Sequence, residues 1–286
     1  MTAANGPVRL IEAVDEKSFG GKCVSLGAAL RAGLPAPDGF ALPVSLVAAI
    51  AKPDTAITDG NGVASATERV KELFGEFAAA MAVRSSAVGE DSAEASFAGQ
   101  HLTVLNIIDA DAMLNAVIAV HDSAHTPEAL AYRQKMEISG EPAIAVVLQR
   151  QILSDTAGVM FTRNPLNGAA ERYIEASWGL GEAIVAGLVV PDSFRISSDG
   201  AIIERVAGEK DIKLVCSDAG ETLELEVEEL LIHELCLSDE QLQQLHGLAV
   251  KCEAVYGEET SDVGLDIEWA FHDGNLYLLQ CRSITR

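Results

Sequence analysis

The sequence predicts an α+β fold. Three observations carry this: a strand-rich middle, helical stretches before and after it, and two strand-like runs around a turn near the C-terminus. Strands and helices are mixed without the strict alternation that a doubly wound parallel sheet requires. At 286 residues, half of them apolar, the chain is long enough for one large domain or for two lobes with sizeable cores.

Each element has its own local reason. Residues 24–31 follow a helical pattern, stopped by Gly33 and then by Pro35 and Pro37. Gly20, Gly21 and Lys22 immediately precede that helix and place glycines and a lysine at its N-terminus. Residues 53–66 read as a loop, followed by a helix over about 67–79 and a short strand at 82–84. The stretch 85–100 is rich in small and acidic residues, and helical patterns return over 110–120 and 127–136. Strands are expected at 143–149, 157–162, 172–176, 201–206 and 222–227, several flanked by turn residues. Ser238 and Gln241 form the ends of a capping box, in which each side chain satisfies the other residue's backbone N–H. The helix they open carries Leu242, Leu245, Ala249, Cys252 and Tyr256 on one side and is expected to end at Gly257.

The last two strands are the most informative. With a three-residue loop at Asp273, Gly274 and Asn275, His272 faces Leu276, Glu268 faces Gln280, and Asp266 faces Arg282. One face then carries Asp266, Glu268, Gln280 and Arg282. The other carries the apolar set Ile267, Trp269, Phe271, Tyr277, Leu279 and Cys281. A two-residue Asp-Gly loop would bury Gln280 on the Ile267 face, so the longer loop is the expected register. The polar face suits a hard cation beside phosphate oxygens, or else a half-solvated surface ion pair.

Composition excludes several classes. A net charge of −23 argues against nucleic-acid binding, which needs clustered Lys and Arg, yet leaves room for a nucleotide held by a few local cations and a metal. No signal peptide is visible at the start and no uncharged run reaches membrane-spanning length, so the expected setting is cytoplasmic. The five cysteines are scattered without a CxxC pair, as reduced and mostly buried thiols would be. Neither an HExxH nor a metal pair at i,i+4 is expected among the six histidines, and surface or packing roles are assigned to each.

Taken singly, the remaining motifs are modest. Gly20-Gly21-Lys22 lacks Walker spacing and serves equally well as a turn. A strand ending in Arg84, followed by small residues, could fold backbone N–H groups over phosphates or could be an exposed loop. The small-residue runs around 154–165 and 175–187 are expected mainly to pack.

Taken together and in order, the segments at 20–22, 83–91, 96–106, 154–165, 175–192 and 266–285 resemble one family over nearly the whole chain. This is the N-terminal ATP-binding domain of the phosphoenolpyruvate synthase and pyruvate phosphate dikinase family, which includes rifampicin phosphotransferase. The resemblance implies an ATP-grasp-like fold of two lobes, at 1–150 and 151–286, with the nucleotide in the cleft between them. It also implies ATP and Mg²⁺ as cofactors. In the family the terminal two phosphates of ATP pass as pyrophosphate to a histidine on a separate swivelling domain, leaving AMP.

Residue by residue, Lys22 and Arg84 match the phosphate-binding cations. Gly99, Gln100 and Thr103 match the contact positions of the phosphate-covering loop. Gln149 to Ile152 matches the segment beside the adenine. Glu268 and Gln280 match the Mg²⁺ ligands, with Asp266 and Arg282 as active-site neighbours.

Two departures stand out. The 44–81 stretch is shorter than the family's helical insertion, and no segment resembles the histidine-bearing or acceptor domains. The expected partners are therefore a histidine-bearing swivelling domain or subunit and an acceptor-substrate domain, and the acceptor itself is not written in this chain. The other readings are a regulatory module that binds nucleotide without catalysis, and an excised domain of a longer phosphotransferase.

Overall fold

The computed structural model describes residues 6–51, 66–77, 79–89, 102–135, 140–260 and 263–284, the side chains of 258–260 excepted. It is α+β, and its residues cluster into two compact units. The first holds 1–28, 38–151 and 218–221, and the second holds 29–37, 152–217 and 222–286.

The first unit is built on an antiparallel sheet. In chain order its elements are β1 (Val8–Arg9), α1 (Glu16–Arg31, whose last turn belongs to the second unit), β2 (Gly39–Leu42), α2 (Val44–Ala51), α3 (Ala66–Phe77), β3 (Met81–Ala87), β4 (Thr103–Ile107), α4 (Ala110–Ser123), α5 (Pro127–Lys135) and β5 (Ile144–Arg150). The strands lie in the order β1-β2-β5-β3-β4. Period-two alternation sends Met81, Val83 and Ala87 into a core with Leu46, Val70 and Val117 from the helices. Ala82, Arg84 and Ser86 point to the opposite face. The loop expected at 53–66 lies outside the described residues except for Ala66, which opens α3.

The second unit carries a six-stranded antiparallel sheet, a two-stranded ribbon and a long helix. Its elements are β6 (Thr156–Phe161), β7 (Glu171–Trp178), the short α6 (Glu182–Val185), β8 (Asp192–Ser197), β9 (Ile202–Val206), β10 (Ile212–Cys216), β11 (Thr222–Glu226), α7 (Asp239–Thr260), β12 (Leu265–His272) and β13 (Asn275–Ser283). The sheet order is β13-β12-β6-β7-β8-β9, with β10 and β11 paired separately. The capping box forms at the start of α7: Ser238 N donates to Gln241 Oε1 at 2.9 Å, and Gln241 N donates to Ser238 Oγ at 3.2 Å. Leu242, Leu245, Ala249 and Cys252 are buried against Ile267, Trp269, Phe271 and Leu278. The helix does not stop at Gly257 as its sequence suggests but runs on to Thr260. An isolated glycine costs a helix only about 1 kcal/mol, too little to end one of this length.

Small residues serve close packing here. At Gly158 a Cβ would lie 1.9 Å from Glu175 O and 2.7 Å from the Trp269 ring, so the buried indole requires glycine beneath it. Asp192 and Lys210 form a fully buried ion pair. Asp192 Oδ1 also accepts from Gly208 N, and its Oδ2 accepts from Cys236 N, so this carboxylate ties three segments together. All five cysteines are thiols outside any disulfide, and all but Cys216 are buried. No helix among the described residues is long and apolar enough to cross a membrane.

Candidate nucleotide site

In the first unit the described residues among those expected at the site lie on or against the sheet face opposite α2, α3 and α4. Gly20 interrupts α1 with φ 73° and ψ 166°, a backbone region essentially restricted to glycine. The turn of helix that follows it is pressed onto β3. Cys23 N donates to Ser86 Oγ at 3.0 Å, and Lys22 Nζ donates to Ser85 O at 2.9 Å. Lys22 is thereby buried beside β3.

Arg84 pairs across the sheet with Thr103 on β4 and with Val147 on β5, and Ala82 pairs with Gln149. Cross-strand partners share a face, so Arg84, Thr103 and Gln149 lie on one surface of the sheet. Gln149 is nearly fully buried there. Gly99 and Gln100, with most of the 96–103 loop, lie outside the described residues.

The second unit holds the other predicted residues on β12 and β13. Asp266 pairs with Arg282 and Glu268 with Gln280, the pairing expected from the sequence. The turn that produces it is different. His272 pairs with Asn275, leaving a two-residue turn of Asp273 (φ 48°) and Gly274 (φ 75°), both left-handed as such a turn demands. This turn alone would send Gln280 to the core. A register shift opposite Glu268 and Trp269 absorbs Leu279 as an extra residue and returns Gln280 to the Glu268 face.

The β-bulge also corrects the apolar face. Leu278, expected on the polar side, joins the core, whereas Tyr277 and Leu279 pack with Ile152, Ala157 and Ala270 on the other side. Ile152 thus sits in a small apolar patch on the same sheet face as Glu268 and Gln280.

Electrostatics on this face are coupled. Arg282 Nε and a terminal guanidinium nitrogen reach the same Asp266 oxygen at 3.0 and 2.9 Å. Burial pushes the Asp266 carboxyl above its usual range, Arg282 pulls it back, and Glu268 pushes it up again. The register extends the polar row inward, because Glu268 pairs with Val159 and Val159 with Glu175. Tyr173 shares that face and donates to Glu175 Oε1 at 3.3 Å, and burial beside Glu175 raises its phenol. The small residues of 175–187 suggest packing for most of that run and leave Glu175 without a role. Period-two alternation from the buried Ile174 and Ala176 is the signal that puts Glu175 on the Glu268 face.

A second acidic group stands at the hairpin tip. Asp155, His272 and Asp273 bring one ligand atom each within 4.8 Å of one another. Asp155 already has a structural task, since its Oδ2 accepts from Asp273 N at 2.8 Å and ties down the turn.

Residues 55–286 match the family described as "Pyruvate phosphate dikinase, AMP/ATP-binding domain". A probable phosphoenolpyruvate synthase of Archaeoglobus fulgidus is 35% identical over 324 residues, covering 98% of this chain and 42% of that protein. Another, from Methanocaldococcus jannaschii, is 32% identical over 305 residues, covering 93% of this chain and 25% of that protein. An uncharacterized phosphotransferase of Bacillus subtilis, YvkC, is 35% identical over 281 residues, covering 93% and 33%. The chain therefore spans between a quarter and about two fifths of the length of these relatives.

Proposed function

The chain belongs to the family of the pyruvate phosphate dikinase AMP/ATP-binding domain, and from that premise we propose that it is the ATP-binding component of a dikinase-type phosphotransferase. On this reading, the pyrophosphoryl group of Mg-ATP passes to a histidine on a separate swivelling domain or subunit, and AMP is released. A histidine nitrogen attacks the β-phosphorus, the bond from that phosphorus to the oxygen bridging it to the α-phosphate breaks, and AMP keeps that oxygen.

The supporting observation is the pairing of Glu268 with Gln280 and of Asp266 with Arg282, which the β-bulge at Leu279 places on one sheet face. Two carboxylates and an amide oxygen are the hard donors that a magnesium ion prefers, so Glu268 and Gln280 would hold it with Asp266 one pleat away. When bound, the ion neutralises charge on phosphate oxygens. Lys22 and Arg84 would offset the charge of the transferring group, with Thr103, Gly99 and Gln100 over the phosphates. Gln149 and Ile152 would lie beside the adenine. Such a site needs little covalent chemistry of its own, because phosphoryl transfer is governed mainly by positioning and electrostatics. An ATP-grasp-like arrangement, a histidine-bearing partner and an acceptor domain complete the proposal.

The test uses ATP labelled at the β-phosphate, incubated with Mg²⁺, this chain and candidate histidine-bearing proteins encoded beside it. Labelled histidine on a partner and stoichiometric AMP are expected. Glu268→Ala and Arg84→Ala should each lower AMP formation at least about a hundredfold in a folded protein, the order of loss seen when one transition-state donor is removed. Wild-type turnover in either variant, or no transfer to any partner, would sink the assignment.

A further inference from the structure

A pair of histidines at the end of α4 has no part in the nucleotide chemistry. Contrary to the expectation that the histidines offer no pair at i,i+4, His121 and His125 are four residues apart, and their rings stack with centroids 4.4 Å apart and planes at 24°. His121 lies in the last turn of α4 and His125 just past its C-cap, so the end of the helix brings two imidazole ligands side by side.

The hydrogen bonds fix which nitrogen of each ring is available. His125 Nδ1 lies 2.9 Å from the backbone oxygen of His121, which can only accept, so Nδ1 carries the proton. His121 Nδ1 lies 3.0 Å from Asp122 Oδ1, and the carboxylate accepts in the same way. In the neutral imidazole, a proton on Nδ1 leaves the lone pair on Nε2. Histidines that bind metals are held in this manner, with one nitrogen donating to a carboxylate or carbonyl and the other on the ion.

The surroundings favour a cation. Both rings sit where α4 ends and the carbonyl ends of its peptide dipoles accumulate; Ala124 caps the helix there. The exposed Asp122 carboxylate adds a formal negative charge beside them.

We propose that His121 and His125 form a binding site for a borderline transition-metal cation such as Zn²⁺ or Ni²⁺, held through both Nε2 atoms with Asp122 orienting the first ring. The stacked rings do not yet converge on one point. Binding would open the stack by small turns about the side-chain torsions, with water completing the coordination. Imidazole selects these ions over Mg²⁺, so the site is separate in chemistry from the one proposed for the nucleotide.

The experiment is calorimetric titration of the full chain with NiCl₂ and with ZnCl₂, without nucleotide, at pH 7.5 in a non-coordinating buffer. One site is expected. His121→Gln and His125→Gln should each weaken it at least about tenfold, and Asp122→Asn about tenfold, the usual cost of losing an outer-shell partner. A His272→Gln/Asp155→Asn double variant should bind as the wild type does, as should the wild type in excess Mg²⁺. Circular dichroism melts establish that each variant is folded. Wild-type affinity in either single histidine variant overturns the proposal. Loss of the site in the His272→Gln/Asp155→Asn variant overturns it equally, by moving the metal to the hairpin tip.

Discussion

Asp266 is the residue whose surroundings pull hardest in opposite directions. Burial and Glu268 hold its carboxyl above the ordinary value of 3.8, and Arg282 opposes them. A carboxyl whose folded-state value is raised binds its proton more tightly folded than unfolded. Its ionisation therefore removes stability as pH rises from the unfolded value through the folded one. Replacing Arg282 removes the only group that favours the charged form among the causes acting on Asp266, so the folded value rises further and the interval widens. If Asp266 must be ionised to sit beside Mg-ATP, Arg282→Met should move the acid limb of Mg-ATP affinity to higher pH, besides lowering the affinity overall. Calorimetric affinities from pH 5 to 8 read the midpoint directly. A midpoint at the wild-type position would mean that Asp266 does not control this limb.

Among the elements, the break in α1 and the β12–β13 hairpin show where sequence reasoning succeeds and where it stops. The glycine-lysine motif was legible as the start of a helix, but not the reason for its first glycine. At Gly20 the backbone is left-handed, and a Cβ would lie 2.2 Å from Ser86 O. That backbone region alone costs a non-glycine residue about 1–3 kcal/mol, and the collision is with main chain that cannot rotate away. Gly20→Ala should thus destabilise the fold by at least about 2 kcal/mol and unseat Lys22 from Ser85 O. A urea melt within about 0.5 kcal/mol of wild type would show that the α1–β3 contact yields more readily than the geometry implies.

The hairpin carries the complementary lesson. Polarity alternation identified Glu268 opposite Gln280, yet a bulge cannot be read from alternation, because one extra residue shifts the phase of everything before it. Leu278 and Leu279 are interchangeable by hydropathy, and only the left-handed Asp273 and Gly274 decide which of them enters the core. β2, α2, β4, β8 and β10 went unread for other reasons. Val44–Ala51 is apolar nearly all round and shows no periodicity. Asp192–Ser197 alternates, but its opening Asp192 looks like a turn residue until its partner Lys210, 18 positions away, is known.

At the scale of the whole molecule the issue is how a chain of net charge −23 accepts a polyanion. Surplus negative charge repels nucleotide at long range, so favourable interaction has to come from a few local cations and from a metal that lowers the nucleotide's own charge. On the proposed function, Lys22, Arg84 and Arg282 would supply the local part, and Glu268 and Gln280 the oxygen donors for the metal. Binding confined to the folded state stabilises it by RT ln(1 + [L]/Kd), about 2.7 kcal/mol at a hundredfold excess over Kd. For a chain of this size that is a rise in melting temperature of roughly 5 °C or more. ATP with Mg²⁺ should therefore raise the melting temperature more than ATP with EDTA, and Mg²⁺ alone should do little. Glu268→Gln keeps the side chain's shape and an oxygen but removes its charge. It should erase the Mg²⁺-dependent increment while leaving the smaller shift from ATP with EDTA in place. Scanning calorimetry under these conditions separates metal from nucleotide. Equal shifts with and without Mg²⁺ in the wild type, or an unaltered increment in Glu268→Gln, would remove the metal from this hairpin and leave Lys22 and Arg84 as the groups that overcome the molecule's charge.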